Sequence, residues 1–210
     1  MTRVELRTLL RRQVSDPASG TSGVQWTDAE LNTIIENAYF LIQTAVFKHD
    51  RNAHLSWDTI DTVADQSEYA LPSTFGIRRL GLKSSSSDTL WTKLEKKVYE
   101  DIEEASGTSN YYAVMGQFLV IKPAPETAVT DGLQLIHTPI MSMSADSDTP
   151  KIKEPLHIGI VWMAVLLASD EDESKDLSET KAKLQNLLDS IPSWYILDSD
   201  ENPRLQPIGL

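Results

Sequence analysis

The apolar positions of this chain change period twice. Between Trp26 and Val46 they recur as Leu31, Ile34, Ile35, Ala38, Ile42, Ala45 and Val46, the three-and-four spacing of one helix face. Thr27 followed three residues later by Glu30 forms a capping box, and Trp26 and Leu31 are placed to clasp across it as a hydrophobic staple. A shorter helix is predicted from Thr2 to about Val14, with Thr2 and Glu5 as a second capping box and Leu6, Leu9, Leu10 and Gln13 marking one face. Asp16 to Gly23, with Pro17, Gly20 and Gly23, reads as the loop of an αα-hairpin.

From Ser56 the period shortens to extended segments rich in Thr, Val, Ile and Tyr and bounded by turn residues. Strands are predicted near Ser56–Thr62, Glu68–Leu71, Ile77–Leu82, Tyr111–Val114, Phe118–Lys122 and Leu133–Thr138. The clearest hairpin is Tyr111 to Ile121, where Gly116 supplies the permissive backbone a tight turn needs. Lys93 to Glu104 reads as a short helix and Ser84 to Ser87 as a loop tip.

The helical pattern returns at Glu154-Pro155, because proline suits the first turn of a helix, where its missing N–H would have no partner. The helix predicted from Pro155 to about Ser169 is apolar nearly all round. A fourth, from about Lys175 to Ser190, carries Leu177, Leu184, Leu187, Leu188 and Ile191 and is expected to stop at Pro192. Ser193 to Leu210 has no sustained period. The fold class expected is therefore α+β: a bundle of about four helices with a small antiparallel β-domain inserted between the second and third long helices, plus an extended C-terminal tail. The expected divisions are an N-terminal helical hairpin over 1–52, a β-rich insert over 53–150, C-terminal helices over 151–192 and a tail over 193–210.

Composition narrows what such a chain can do. Its 40% hydrophobic content over 210 residues suits an ordinary core. A formal net charge of −12 disfavours gripping nucleic acid by phosphate neutralisation, though an acidic wall would let DNA slide past. There is no cysteine, so disulfides, thiolate metal sites and cysteine nucleophiles are excluded. The first residues lack an apolar core and a cleavage site, so no signal peptide is expected. The longest apolar run, Leu156 to Ala168, is well short of the roughly 20 residues that span a membrane.

Candidate chemistry is sparse. His49 and His54 flank Asp50, yet their spacing across a helix end fixes no shared face for a metal. His137 and His157 have no partnered nucleophile and are expected to be hydrogen-bonded or exposed. Asp170 to Glu173 is acidic, but a calcium loop counted from Asp170 would place Lys175 and Lys181 where glycine and glutamate are required. Phosphate-cradling, dinucleotide and nucleophile-elbow motifs are absent. No catalytic residue, cofactor or metal is assigned.

A helix apolar all round needs partners on every side. Either the Pro155 helix is the centre of the protomer's own core, or one side of it faces a neighbouring subunit through Trp162, Val161 and Val165. In the tail, Trp194, Tyr195, Ile196 and Leu197, with Leu205 and Ile208, supply apolar surface that a solubilising segment would not need.

Four phrases in order resemble the head-to-tail adaptor, or connector, family of tailed bacteriophages, over about residues 1 to 190. They are Trp26-Thr27-Asp28-Ala29-Glu30-Leu31 with Asn37-Ala38, then Tyr69-Ala70-Leu71-Pro72 before Phe75 and Ile77-Arg78-Arg79. Leu119-Val120-Ile121-Lys122-Pro123-Ala124-Pro125 follows, and last Pro155-Leu156-His157-Ile158, leading into Val161 and Ala164. The resemblance implies a structural protein of the virion, made in the host cytoplasm and placed at the head-tail junction. It implies a ring, commonly of twelve copies, beneath the portal protein and above tail or nozzle proteins, with DNA passing through the channel unbound and no membrane involved. Some members bind the portal through a C-terminal extension. Two other readings stay open: a virion-associated cell-wall glycan hydrolase using paired carboxylates, and a soluble binding module that forms no ring.

Overall fold

The computed structural model describes residues 1–16, 25–169 and 176–195. Among them, five α-helices and two four-stranded sheets divide into two compact units: His54–Ile140, and the described residues on either side of it. The fold is α+β, but the expected helical bundle carrying a small antiparallel insert is not what forms. The β part is the larger elaboration, with eight strands, and one of its strand pairs is parallel. Exposed two-residue strands rich in Lys and Glu have no apolar alternation to betray them, so the sequence pattern predicts six strands, all antiparallel.

In the helical unit, α1 (Arg3–Gln13) and α2 (Asp28–His49) start at Thr2 and Thr27, each with both halves of its capping box formed. A 3₁₀ turn at Glu154–Leu156 leads into α4 (His157–Ala168), and α5 (Ser178–Tyr195) follows. The shared core contains Leu6, Leu10, Leu31, Ile35, Ile42 and Ile160, all inaccessible to solvent. The expected stop at Pro192 does not occur. Helix α5 runs on to Tyr195, because Ile191 is fully buried and Trp194 packs on the core, and that burial offsets the proline's lost hydrogen bond near the helix end.

Polar side chains fix the outer edge of this core. Arg3, Arg7 and Arg11 stand one turn apart on α1. Arg3 Nη2 lies 2.9 Å from Asp146 Oδ1, and Arg7 Nη1 lies 3.0 Å from the same oxygen. Arg11 pairs with the fully buried carboxylate of Asp16 and, at 2.8 Å, with Asp28 in the first turn of α2. On α2, Gln43 exchanges two hydrogen bonds with the backbone of Met141, at 2.8 and 2.9 Å. Glu36 accepts from the Met143 amide at 2.8 Å, and the Tyr39 hydroxyl accepts from the Lys151 amide at 2.8 Å. The segment from Met141 to Lys151 is thus strapped along α2 with its buried amides satisfied.

The β unit contains β1 (Ser56–Thr62), β2 (Glu68–Ala70), β3 (Thr74–Leu82), β4 (Thr92–Lys93), β5 (Glu95–Lys96), α3 (Tyr99–Ile102), β6 (Tyr111–Met115), β7 (Phe118–Lys122) and β8 (Val129–Pro139). One sheet has the order β1-β8-β3-β4 and the other β2-β7-β6-β5. The predicted helix at Lys93 to Glu104 is mostly replaced by β4 and β5, leaving only α3. The hairpin turn at Gly116 forms as expected, at φ 58°. Both sheets contribute to one core, built from residues such as Leu80, Leu133 and Leu135 of the first and Tyr69, Leu119 and Ile121 of the second.

The arginine clamp should be acid-sensitive. Hydrogen bonds from Arg7 and Arg3 hold the Asp146 carboxyl below the ordinary carboxylate value. A depressed folded pKa contributes stability above the unfolded value of about 3.9, and that contribution is lost as pH falls through the folded value. Thermal melts should show Asp146→Asn less stable than the parent at pH 7 and the gap closing as pH falls below the ordinary carboxylate value. An equal gap across that range would show that the carboxylate's charge plays no part.

Candidate assembly surface

Helix α4 is the element from which a site can be built. Its sequence, His157 to Ala168, contains no Asp, Glu, Lys or Arg, so no face of it is made for water. Within the protomer Ile160, Val161, Ala164 and Val165 are buried in the helical core. Gly159 faces α5: a Cβ there would come within 2.5 Å of Leu187 Cδ2 and 3.6 Å of Ile42 Cδ1. The glycine is therefore a notch that lets Leu187 reach the helix backbone, which a larger residue would hold off.

That burial leaves an apolar remainder. Trp162, Met163 and Leu166 are half-buried against the core, and Leu167 is 39% exposed. On the outward side of α2, Phe40 and Leu41 are 42% and 39% exposed and flank Asn37 and Thr44. Of the residues assigned from the sequence, Val161 and Val165 thus lie inside the protomer's own core, whereas Trp162 reaches its surface. Trp194 packs on the same core, and its carbonyl accepts a bond from Lys153 Nζ. Tyr195 closes α5, while Ile196, Leu197, Leu205 and Ile208 lie outside the described residues. The sequence points to a face of the Trp26 helix, now α2, for assembly but does not single out Phe40 and Leu41, which fall off its apolar stripe.

Two of the four histidines occupy structural positions. His137 Nε2 is 2.8 Å from Asp58 Oδ2 across β8 and β1, with the imidazole 1% exposed. His157 Nε2 is 3.1 Å from the Ile152 carbonyl, and burial holds its pKa below the usual imidazole value. Among the described residues no three His, Asp or Glu side chains gather as metal ligands would, and no helix is long and apolar enough to cross a membrane.

A family model described as the SU10 adaptor protein matches residues 1–207. The chain belongs to that family. It is a phage adaptor, a structural component of the virion, as its resemblance to the head-to-tail adaptors implied. Among curated proteins none matches. Apolar residues left at the surface of α4 and α2 gain nothing from contact with water, so covering them would be favourable.

The Gly159 notch carries its own test. Adding a Cβ gains helix propensity of up to about 1 kcal/mol but forces Leu187 aside, and overpacking of this kind costs about 1–3 kcal/mol. Because the atom in the way is the end of the half-buried, flexible Leu187 side chain, Gly159→Ala should change stability in urea denaturation by no more than about 1 kcal/mol, and Leu187→Ala should cost less in the Gly159→Ala background than in the parent. Strict additivity would mean that the two positions do not meet.

Proposed function

We propose that this adaptor assembles into a ring beneath the portal, extends the DNA channel toward the tail, and closes that ring through the surface of α4 at Trp162 and Leu167. The observation that carries the reading is α4 itself, a helix with no polar face whose outer residues stay partly in water. In a cyclic assembly each contact is heterologous, so the α4 surface of one copy meets a different patch of the next, and the exposed Phe40 and Leu41 of α2 supply one of suitable chemistry. Twelve copies is the number the family resemblance suggests. The acidity of the chain suits a channel wall, because carboxylates repel phosphates over about 8 Å at physiological salt and keep DNA from adhering. The segment after Tyr195, with Ile196, Leu197, Leu205 and Ile208, is the part proposed to engage the portal, anchored by Trp194.

Mass photometry and negative-stain microscopy of the protein mixed with its portal test both halves of this proposal. A tryptophan buries on the order of 200 Å², so losing one at an interface costs several kcal/mol, enough to suppress a ring at micromolar concentration. Trp162→Ala should reduce ring yield far more than it lowers the melting temperature. Leu167→Asp should do the same with almost no change in melting. A folded Leu167→Asp variant that forms rings at the parental yield would move the interface elsewhere. Truncation after Tyr195 should abolish portal binding; unchanged binding would remove the terminal segment from that role.

A further inference from the structure

The β unit carries a second surface that ring closure through α4 does not use. Strand β1 stands at one end of its sheet and β2 at one end of the other, so among the described residues each has one edge with no strand beside it. The two meet along an open, shallow groove lined by Trp57, Asp58, Thr59 and Ile60 from β1 and by Ala70, Leu71 and Pro72 further on, with the Asp58 carboxylate turned to His137. Beyond the ladder to β8, the backbone of Trp57 to Ile60 makes no hydrogen bond with any described residue. Such an edge offers N–H and C=O groups to any extended chain that can approach, and sheets usually guard it.

The guard here is one-sided. From His54 to Ile77 the sequence has four carboxylates, Asp58, Asp61, Asp65 and Glu68, and no Lys or Arg. Arg79 is the next cation along the row Trp57, Ile136, Arg79, two strands in from the edge. Acids alone would keep another acidic chain away, but they do not explain Trp57, which is 54% exposed beside the groove. An aromatic ring next to an open strand edge is useless as a guard and useful as a wall for a bound side chain. The same surface continues across the second sheet, where the register aligns Ala70, Phe118 and Met115, all exposed.

We infer that β1 and the groove beside it receive an extended, basic segment of another polypeptide, which adds a strand to the β1 edge. Backbone pairing with β1 supplies affinity, while Trp57, Leu71 and Pro72 hold one apolar side chain. Lysine or arginine side chains on either side of it meet Glu68 and the second oxygen of Asp61, whose Oδ1 already accepts from the Asp131 amide at 2.8 Å. Charge decides the occupant: a second copy of this chain brings −12, and DNA brings phosphates, so both are repelled where a cationic strand is drawn in. This docking is independent of ring closure, since it involves neither α2 nor α4.

The test uses the full-length, ¹⁵N-labelled protein and the acetylated, amidated heptapeptide Thr-Lys-Val-Lys-Val-Arg-Thr, with a control in which Glu replaces each cation. The basic peptide should slow amide exchange at alternate residues between Trp57 and Ile60. It should bind at least tenfold more tightly than the acidic control and weaken about tenfold between 0.05 and 0.5 M KCl. Trp57→Ala should reduce affinity about tenfold, and the exposed Glu68→Lys, which leaves the core untouched, should reduce it severalfold. No added protection on β1, equal binding of the acidic peptide, or full affinity in Glu68→Lys would each overturn the inference. So would protection of β1 that rises with protein concentration alone, since that would make a second copy the occupant.

Discussion

The helical unit is governed by the fact that α4 has no polar side. A twelve-residue helix without a charge cannot be left against water, so the other helices are disposed by what they must cover. Helices α1 and α2 supply Leu6, Leu10, Ile35 and Ile42, and α5 approaches closely enough for Leu187 to enter the gap at Gly159. The covering is incomplete at Trp162, Met163, Leu166 and Leu167, so part of an apolar helix stays at the surface of the unit.

Around that apolar centre the polar interactions act as ties. The stripe Arg3, Arg7 and Arg11 draws Asp146, Asp28 and Asp16 to one side of α1, joining parts of the chain as much as 143 residues apart. Glu36, Tyr39 and Gln43 do the equivalent on α2, giving partners to backbone groups of Met141, Met143 and Lys151 that would otherwise be desolvated. Burial lifts the Glu36 carboxyl above its ordinary value even as the Met143 amide pulls it down, the balance expected for a carboxylate used as a backbone clamp.

What could be read beforehand follows from how local each signal is. The capping boxes at Thr2 and Thr27 lie within four residues of sequence and were legible. So were Gly116 in its turn and the apolar run that becomes α4. The two-sheet architecture was not legible, because β4 and β5 are two residues each and their pairing is decided by distant neighbours. The continuation of α5 past Pro192 depends on tertiary burial of Ile191, which no local rule contains. On the candidate surface, Trp162 was legible as a large side chain on a helix without a wet face. That Val161 and Val165 turn inward could not be known until α1 and α2 had taken their places. Glu36 and Gln43 left a trace, two polar residues seven apart on an otherwise apolar helix face, whose meaning appears only with the strap they bind.

The helical unit is assembled from two stretches of chain with the whole of His54–Ile140 between them, and this orders events during synthesis. When α2 leaves the ribosome, the helix that its apolar stripe must meet lies more than a hundred residues downstream. At about 5–20 residues per second, α1 and α2 wait on the order of 5 to 20 seconds for α4. The β unit, whose strands all lie within 54–140, can close during that interval without them. The adaptor can therefore complete first the part that depends on nothing else, and the helical core, which needs both ends of the chain, is the last to come into being.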